Sequence, residues 1–563
     1  MKKKLQFFTF IGGMTLAVNA SAQRYLTEIF DNSEIQITSN VIYATNIDFL
    51  TSDFLTDTAQ VADELIELQT AAALGTEIDT AYFNPADVTT EVKVTNIKMD
   101  IYQPNQAIDS IENRPVIIFI HTGNFLPEII NGGITGDKID SAGVNLCKQW
   151  AKRGFVAVSA DYRLGWNPIS SDENVRRGTL LNAVYRAIHD IKMCVRNLKS
   201  NASDYNINPD EICLYGQGSG GYVVNAYVTL DQVAEYFLEK FIDPITNSSF
   251  INSDLVGEIN GYGGALNLYQ NDDVSSQIAF SANAGGALAD SSWVDGGEPP
   301  HVSIHCVRDP FAPFGRGTVI VPTTNEDVVE VDGSNIMINR YNFFGNNASF
   351  ADILPLNDDF TERARSLYGV TLPYLYPAPN DQITIIADNE GLFPVVLPIS
   401  TLGTFANQSD PWNWWDFNTL QAVVDGTNNA LGTDYDAALF NEQGLAGNPG
   451  MGSVKGLTYI DTIQGYLIPR IVRSLNLITS IEEIDGIKFE VNLYPNPSAN
   501  EVTVSVANKT IETLELRDIN GRLIFNDNVG KSSYTFNRKL PKGLYNITLK
   551  LKEGNLVKKL VIE

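Results

Sequence analysis

Residues 212–221 read ICLYGQGSGG, in which an apolar run leads into a glycine-rich turn and a helical pattern begins at Gly220. The same alternation continues outward on both sides of this turn. Strand-like runs lie at 92–102, 115–121, 156–162, 212–215 and 301–306, and helical patterns lie at 146–153, 178–199, 220 onward and 456–475. Val116–Ile120 is apolar throughout, as is typical of a strand covered on both faces. Strands that alternate with helices of about ten or more residues predict an α/β fold with a mostly parallel sheet flanked by helices.

The chain is long enough for about three to four domains, and its character changes along its length. The sequence divides into five predicted segments: a signal peptide at 1–22, an N-terminal elaboration at 23–90, an α/β domain at 91–478, a linker at 479–490 and a C-terminal β-domain at 491–563. Within the α/β domain, a less regular stretch at about 330–450 is rich in Gly, Pro and Asn, and we expect it to act as a lid. Short alternating strands with turns at Asn520-Gly521 and Lys542-Gly543 predict that the C-terminal domain is a small all-β sandwich.

The first 22 residues have the features of a secretory signal peptide. Lys2–Lys4 form a positively charged start, residues 5–18 are mostly apolar, and Ala20-Ser21-Ala22 is a small-residue cleavage site. No later segment reaches transmembrane length, so we expect no transmembrane segment in the mature protein.

The formal net charge is −28, with 39 Lys and Arg against 67 Asp and Glu. Binding to nucleic acid requires clustered Lys and Arg that release counterions from phosphates. The charge therefore argues against a nucleic-acid partner.

The pattern of His, Cys and carboxylates predicts no metal and no organic cofactor, because these residues never cluster at zinc-like spacing. Acidic pairs such as Asp272-Asp273 do not form an EF-hand loop. The four cysteines each lie in an apolar pattern, which favours buried free thiols. If one disulfide forms, we expect it to join Cys194 and Cys213.

The C-terminal residues 491–563 carry four motifs in a recognisable order. These motifs are Leu493-Tyr494-Pro495-Asn496-Pro497, Asp518-Ile519-Asn520-Gly521-Arg522, Lys542-Gly543-Leu544-Tyr545 and Lys558–Glu563. Together they resemble the type A sorting domain of type IX secretion. The resemblance implies that residues 491–563 bind the type IX secretion machinery of a Bacteroidota-type cell. It also implies export across both membranes, to the cell surface or the extracellular space.

The large domain carries four landmarks of its own. They are His121–Phe125 after a buried strand, Ala160–Arg163 after the next strand, Gly216–Gly221 between strand and helix, and His305–Phe311 later in the chain. In this order they resemble the carboxylesterase and feruloyl-esterase branch of the α/β-hydrolase fold. The resemblance implies a nucleophilic Ser on a sharp strand-to-helix elbow, an acid, a His base and backbone N–H groups for the oxyanion.

The elbow pattern G-x-S-x-G can be placed on this chain in two frames, and one of them fits better. Centring it on Gly218 places Gly216 and Gly220 at the two positions that must be small. Centring it on Ser219 places Gln217 where a glycine is needed. We therefore expect Gly218 at a degenerate nucleophile position, with Ser219 as the fallback nucleophile.

The resemblance places the acid at Asp309, and the family's base follows the acid in the chain. All four histidines precede Asp309: His121, His189, His301 and His305. The base is therefore missing from its expected position. His121 begins the loop that corresponds to the family's oxyanion loop and would be the fallback base. Thr122 and Asn124 replace two glycines of that loop.

Three hypotheses for the function follow. The first is a catalytically inactive relative of the hydrolases that acts as a binding or structural protein. The second is an active carboxylic ester hydrolase that uses Ser219 with a displaced base such as His121. The third is an adhesion or matrix component. A small ester, phenolic or glycan ligand is expected to contact Gly123 and Asn124. Three tryptophans could form an aromatic wall for it, or could instead pack the lid: Trp412, Trp414 and Trp415.

Overall fold

The structure is a computed structural model. It describes residues 24–321, 326–353, 359–374, 381–399, 409–477 and 491–562, the last range with gaps at 495, 497, 499–500, 507–508, 519–521 and 553. The described residues form two compact units, divided between Leu477 and Ile478. The predicted signal peptide and the predicted linker lie outside the described residues.

An eight-stranded sheet forms the centre of the first unit. Its strands are β1 (Ile35–Ile47), β2 (Val94–Pro104), β3 (Arg114–Ile120), β4 (Val156–Ala160), β5 (Ile207–Gln217), β6 (Phe280–Ala284), β7 (His301–Cys306) and β8 (Leu392–Val395). They lie in the order β1-β2-β4-β3-β5-β6-β7-β8. The six strands β3 to β8 run parallel to their neighbours in this group. Strand β1 pairs with β2, and β2 pairs with β4, in antiparallel fashion. The predicted mostly parallel sheet is confirmed.

Helices follow most of the strands. The longer ones are α1 (Thr58–Leu74), α2 (Ser141–Lys152), α3 (Glu173–Ser200), α4 (Ser219–Thr229), α5 (Ser334–Phe344), α6 (Asp359–Arg365), α7 (Phe417–Leu431), α8 (Ala437–Gly447) and α9 (Ser453–Ser474). Helix α4 packs on β5, β6 and α3, so the residues between β5 and α4 are held between the sheet and two helices. The predicted helix at 178–199 begins earlier, at Glu173, because the Asp172 side chain accepts the Asn174 N–H at 2.9 Å and caps the helix.

The predicted N-terminal elaboration contributes a strand to the central sheet. Strand β1 is antiparallel to β2 and forms one edge of the sheet. Most of its first half is exposed, so it lacks the apolar run that marks the inner strands. Exposure at an edge explains why the sequence pattern did not reveal this strand.

The stretch predicted to be a lid combines several roles in its described part. Strand β8 belongs to the central sheet, and Met337, Ile338 and Tyr341 of α5 lie in the main hydrophobic core. Helices α7 and α8 instead form a small separate cluster with Ile129 and Ile134. Of the described part of this stretch, only these two helices resemble a cover. The sequence did not reveal β8 because a strand of four residues leaves no readable periodicity.

The second unit consists of two antiparallel sheets. Its strands are β9 (Val491–Tyr494), β10 (Glu501–Val506), β11 (Ile511–Asp518), β12 (Leu523–Lys531), β13 (Ser533–Asn537), β14 (Gly543–Leu551) and β15 (Gly554–Ile562). The three-stranded sheet has the order β9-β10-β13, and the four-stranded sheet has the order β12-β11-β14-β15. Alternate apolar residues of both sheets form one core, including Val504, Leu516 and Ile547. The predicted C-terminal β-domain is confirmed.

The four cysteines are free and buried. Cys194 lies on α3 with its sulfur 3.9 Å from Met99 Sδ, and Cys213 lies on β5, so the pairing considered from the sequence is not formed. Burial raises the pKa of each thiol, which keeps the cysteines protonated.

Candidate functional site

The turn between β5 and α4 has the geometry of a nucleophile elbow with Gly218 at its apex. Gly218 has φ 51° and ψ −118°, a region that residues with a side chain rarely adopt. A β-carbon at Gly216 would collide with the Gly220 carbonyl, and one at Gly220 would collide with the Ile120 carbonyl. Both flanking positions therefore require glycine, as the frame centred on Gly218 demands.

The side chain of Thr122 occupies the space beside Gly218. A β-carbon at position 218 would lie 3.0 Å from Thr122 Cβ and still closer to Thr122 Oγ1. A serine at the apex would need this space for its own side chain. Sequence reasoning noticed Thr122 as a replaced glycine but did not connect it with Gly218. The sequence did offer a signal, because positions 122 and 218 both depart from the pattern of the family that the chain resembles.

Ser219 lies at the start of α4 and is buried. Its Oγ accepts the Asn124 backbone N–H at 3.1 Å and lies 3.1 Å from Tyr162 Oη. Tyr162 Oη also lies 3.0 Å from the His121 carbonyl oxygen, to which it donates. Burial raises the pKa of Tyr162, so the phenol is neutral. Among the described residues, no imidazole forms a hydrogen bond with Ser219.

The loop that follows β3 is held in an unusual conformation. Asn124 and Phe125 have φ values of 55° and 57°, and the Asn124 carbonyl accepts the Trp166 indole N–H at 2.7 Å. In the α/β-hydrolase fold that these landmarks resemble, an N–H of this loop helps to hold the oxyanion. Here the Asn124 N–H is directed at Ser219 Oγ, so an oxyanion would have to displace that hydroxyl.

His121 is not oriented as a base for Ser219. Its Nδ1 lies 2.7 Å from the Thr122 carbonyl oxygen, and its Nε2 lies 3.9 Å from Asp161 Oδ1. The ring is stacked on Tyr162 with 4.3 Å between centroids. Burial lowers the pKa of His121, which favours the neutral ring. The hypothesis that His121 replaces the missing base gains no support from these contacts.

The other three histidines are also buried and neutral. His305 Nε2 lies 2.9 Å from the Ala312 carbonyl, and its Nδ1 lies 2.8 Å from Ser334 Oγ. Burial lowers the pKa of His305 to about 4 and that of His301 to about 3. Burial likewise lowers the pKa of His189. These rings act as hydrogen-bonding groups or packing groups within the core.

Asp309 follows β7 and forms a pair with a residue that the sequence analysis did not select. Asp309 Oδ2 and Asp410 Oδ1 both lie 3.6 Å from the position that a β-carbon on Gly285 would take. Burial raises the pKa of both carboxyls, to about 6 for Asp410, and the charge of Asp410 adds to the shift of Asp309. Asp410 comes after β8, in the part of the chain where the base of the family is expected.

A cavity of about 710 Å³ connects these groups. Six of the nine residues predicted for the site line it: Gly123, Asn124, Gly218, Ser219, Asp309 and Trp415. His121, Trp412 and Trp414 do not line it. Much of the remaining wall is apolar and includes Leu181, Val184, Ile188, Ala226, Val319 and Val331. The volume is within the usual range of about 300–1,000 Å³ for small-molecule sites.

The three tryptophans therefore have different environments. Trp415 contributes to the cavity wall and packs against Gly444 of α8, where a β-carbon would collide with its ring. Trp412 is fully buried, and Trp414 packs against Gly456 of α9 in the same way. Only Trp415 is placed to contact a ligand. Within the described ranges, no group of three or more His, Cys, Asp or Glu side chains could hold a metal ion.

Two parts of the chain match family models. Residues 99–318, which include the elbow and Asp309, match the family model described as BD-FAE. Residues 492–563 match the model described as secretion system C-terminal sorting domain. The chain joins an esterase-like α/β-hydrolase domain to a sorting domain.

The chain is also similar to individual proteins. It is 25% identical over 140 residues to secreted lipase 5 of Gibberella zeae, a match that covers 23% of this chain and 24% of the lipase. This chain therefore matches about a quarter of the length of that relative. Among solved structures, the propionate-bound esterase 2 of Thermogutta terrifontis is 18% identical with a TM-score of 0.26, and covers 39% of this chain and 70% of its own. The cyclosarin-phosphonylated form of that esterase is 19% identical with a TM-score of 0.27, and covers 39% and 69%.

The sorting domain indicates export by the type IX secretion system and contact with its machinery. Such a domain is an address that the machinery recognises. Among the described residues, no helix is both long and apolar enough to cross a membrane.

Proposed function

We propose that this exported protein binds a small ligand in the cavity of its hydrolase domain and does not hydrolyse esters. The observation that carries the proposal is the pair formed by Gly218 and Thr122. The apex of the elbow has no side chain, and the Thr122 side chain fills the space that a nucleophile would need. Without a nucleophile at the apex, no acyl-enzyme can form there.

The surroundings of Ser219 support the same proposal. Deprotonation of a serine hydroxyl requires a base within hydrogen-bond reach. The groups at Ser219 Oγ are a backbone N–H and the neutral phenol of Tyr162. Neither accepts a proton near neutral pH, so Ser219 is an unactivated hydroxyl in this arrangement.

The cavity favours a ligand with a hydrophobic body and a polar head. Apolar side chains form much of the wall, and polar side chains that include Ser219, Asp309 and Asp410 also line the cavity. A glycan would bury many hydroxyl groups against the apolar part without partners, which costs free energy. Among the ligands considered from the sequence, those with a hydrophobic or aromatic body therefore fit this lining better than a glycan does.

In this proposal the protein lies at the cell surface or in the medium. Residues 1–22 are removed at the inner membrane, and residues 491–563 direct passage across the outer membrane. The segments 23–90 and 91–478 then form the ligand-binding part. The strand that 23–90 contributes to the central sheet argues that the two act together.

Turnover of p-nitrophenyl butyrate by the purified full-length protein tests the proposal. We expect the wild type and Ser219→Ala to release p-nitrophenol at the same rate, since Ser219 has no base. An active esterase measured in parallel confirms that the assay works. A wild-type rate well above that of Ser219→Ala would favour the alternative of an active ester hydrolase that uses Ser219.

A further inference from the structure

Two carboxyl groups lie near one another among the residues that line the cavity. Asp309 Oδ1 accepts the backbone N–H groups of Phe311 and Ala312, both at 2.9 Å, and these bonds fix the carboxyl. Asp309 Oδ2 and Asp410 Oδ1 each lie 3.6 Å from the point that a β-carbon on Gly285 would occupy. Gly285, Asp309 and Asp410 all line the cavity, so a ligand group beside Gly285 would lie within reach of both carboxyls.

Two cationic side chains from this part of the chain, Lys455 and Arg308, form hydrogen bonds with other groups. Lys455 Nζ donates to the Asn448 side chain and to a backbone carbonyl. Arg308 donates to two backbone carbonyls, at 2.7 and 2.8 Å. Among the described residues, no Lys or Arg forms an ion pair with Asp309 or Asp410. Asp309 is buried and Asp410 is partly buried, and an ionised carboxyl at such a position is costly without a cation because burial disfavours the charged form.

The other titratable groups around the pair are neutral. His305 Nε2 lies 3.7 Å from Asp309 Oδ2, but burial lowers the pKa of this histidine to about 4. Burial raises the pKa of Tyr215, which lies near Asp410, of Tyr222, which lies near Asp309, and of Cys306, which lies near both. The negative charge that develops on the pair is thus not balanced by these neighbours.

Asn413 is an independent sign that a polar ligand group belongs in this part of the cavity. The residue is 7% exposed and lines the cavity. Neither its Nδ2 nor its Oδ1 makes a hydrogen bond of good geometry with the described residues, although the amide lies close enough to Asp410 to favour its ionised form. Buried amides are almost always paired in proteins, so we expect a ligand to supply the partner.

We infer that the cavity binds an organic amine, with the ammonium group held between Asp309 and Asp410 beside the Asn413 amide, and with a hydrophobic body along the apolar wall. This inference rests on the proposed binding function and names its ligand class. An ammonium group donates three hydrogen bonds, which suits two carboxylate oxygens and the Asn413 carbonyl. The net charge of −28 also draws cations toward the protein.

Other head groups fit the observations less well. A carboxylate ligand would be repelled by the ionised carboxyls of Asp309 and Asp410. An alcohol carries no positive charge and would not balance theirs. A divalent metal prefers more oxygen ligands than two carboxyls supply, and the described residues contain no cluster of three such ligands. An ammonium group can both balance the charge of the two carboxyls and donate a hydrogen bond to the Asn413 side chain.

Isothermal titration calorimetry with a matched series tests the inference on the full-length protein. The probes are octylamine, octanol and octanoate, which share one body, and ethylamine, which lacks it. Near neutral pH we expect octylamine to bind roughly tenfold or more tightly than octanol, as expected for a charge-assisted contact, and octanoate to bind more weakly than both. Ethylamine should bind much more weakly than octylamine, since it buries little apolar surface.

Substitutions assign the effect to the two carboxyls. In Asp309→Asn/Asp410→Asn we expect the preference for octylamine over octanol to disappear, with octanol affinity within about twofold of the wild type. The exposed Asp63→Asn on α1 is the matched control and should change neither. Equal binding of all three octyl probes, binding of none of them, or a preference that survives the double substitution would overturn the inference. None of these titration results affects the ester-hydrolysis test. The amine inference can therefore fail while the proposed inactivity toward esters stands, and the reverse is also true.

Discussion

Thr122 stands where a side chain on Gly218 would have to go, its Cβ 3.0 Å from the position of a β-carbon at the elbow apex and its Oγ1 closer still. The two residues come from different loops, one after β3 and the other after β5, and they meet because those strands are neighbours in the sheet. The absence of a side chain at the apex and the filling of the space beside it are thus one arrangement.

Gly218→Ser should therefore destabilise the protein without restoring activity. The backbone conformation alone costs a non-glycine residue about 1–3 kcal/mol, and the contact with Thr122 adds to this cost. We expect a lower free energy of unfolding in urea, with no increase in ester turnover. Thr122→Gly/Gly218→Ser should recover part of the loss, with a coupling energy of about 0.5–3 kcal/mol in the double-mutant cycle. Strict additivity of the two substitutions would contradict the contact.

Restored chemistry should require a base as well as a nucleophile. Asp410 lies next to Asp309 in the part of the chain where the base is expected, and its φ of 47° is tolerated by His as by Asp. We expect Thr122→Gly/Gly218→Ser/Asp410→His to hydrolyse p-nitrophenyl butyrate about 10²-fold or more faster than the same protein with Asp410 retained.

The control for this variant adds Asp309→Asn, which removes the group that would orient the new imidazole. Its turnover should return to the level of the double substitution. If the triple variant is folded but no faster than its Asp410 parent, Asp410 does not occupy the position of the base.

Stability should depend on pH through Asp410. Burial raises the pKa of this carboxyl from 3.8 to about 6, so the folded protein favours the protonated form. The stabilisation is present at low pH and is lost as the pH rises through about 6. Asp410→Asn should therefore raise the free energy of unfolding relative to wild type by more at pH 7 than at pH 4, by roughly 3 kcal/mol at most. Urea melts at both pH values measure this difference. The exposed Asp63→Asn should show no such change, and an Asp410→Asn effect that is equal at both pH values would contradict the burial argument.

Export should depend on the C-terminal unit. The match of residues 492–563 to a sorting domain predicts that deletion of 491–563 leaves the protein in the periplasm. Immunoblots of periplasm, cell surface and medium from the native host measure this distribution. Undiminished protein at the surface or in the medium after the deletion would contradict the assignment.

The sequence predicted the elbow and the sheet because both leave local patterns. Positions 216 and 220 require glycine because strand β5 and helix α4 lie too close together for a side chain. The apolar run of β3 reflects burial on both faces. Edge strand β1 was missed because one side of it meets solvent, and the short strand β8 leaves too few residues for a pattern.

The parts of the site that escaped prediction depend on contacts between distant segments. Thr122 was visible only as a missing glycine, since its meeting with Gly218 requires the pairing of β3 and β5. Asp410 carries no motif of its own in the sequence, and its proximity to Asp309 depends on the fold of the whole domain. His121 borders the elbow as expected, but its ring orientation is set by Tyr162 and the adjacent carbonyl.

The central claim is that no side chain of the native protein acts as an ester-cleaving nucleophile, and covalent labelling tests it most directly. Wild type and Ser219→Ala would be treated with a fluorophosphonate probe and examined by intact-protein mass spectrometry, with a serine esterase as the positive control. The account predicts no adduct on either protein under conditions that label the esterase fully. A single adduct on the wild type that is absent from Ser219→Ala would contradict the account and identify Ser219 as a working nucleophile.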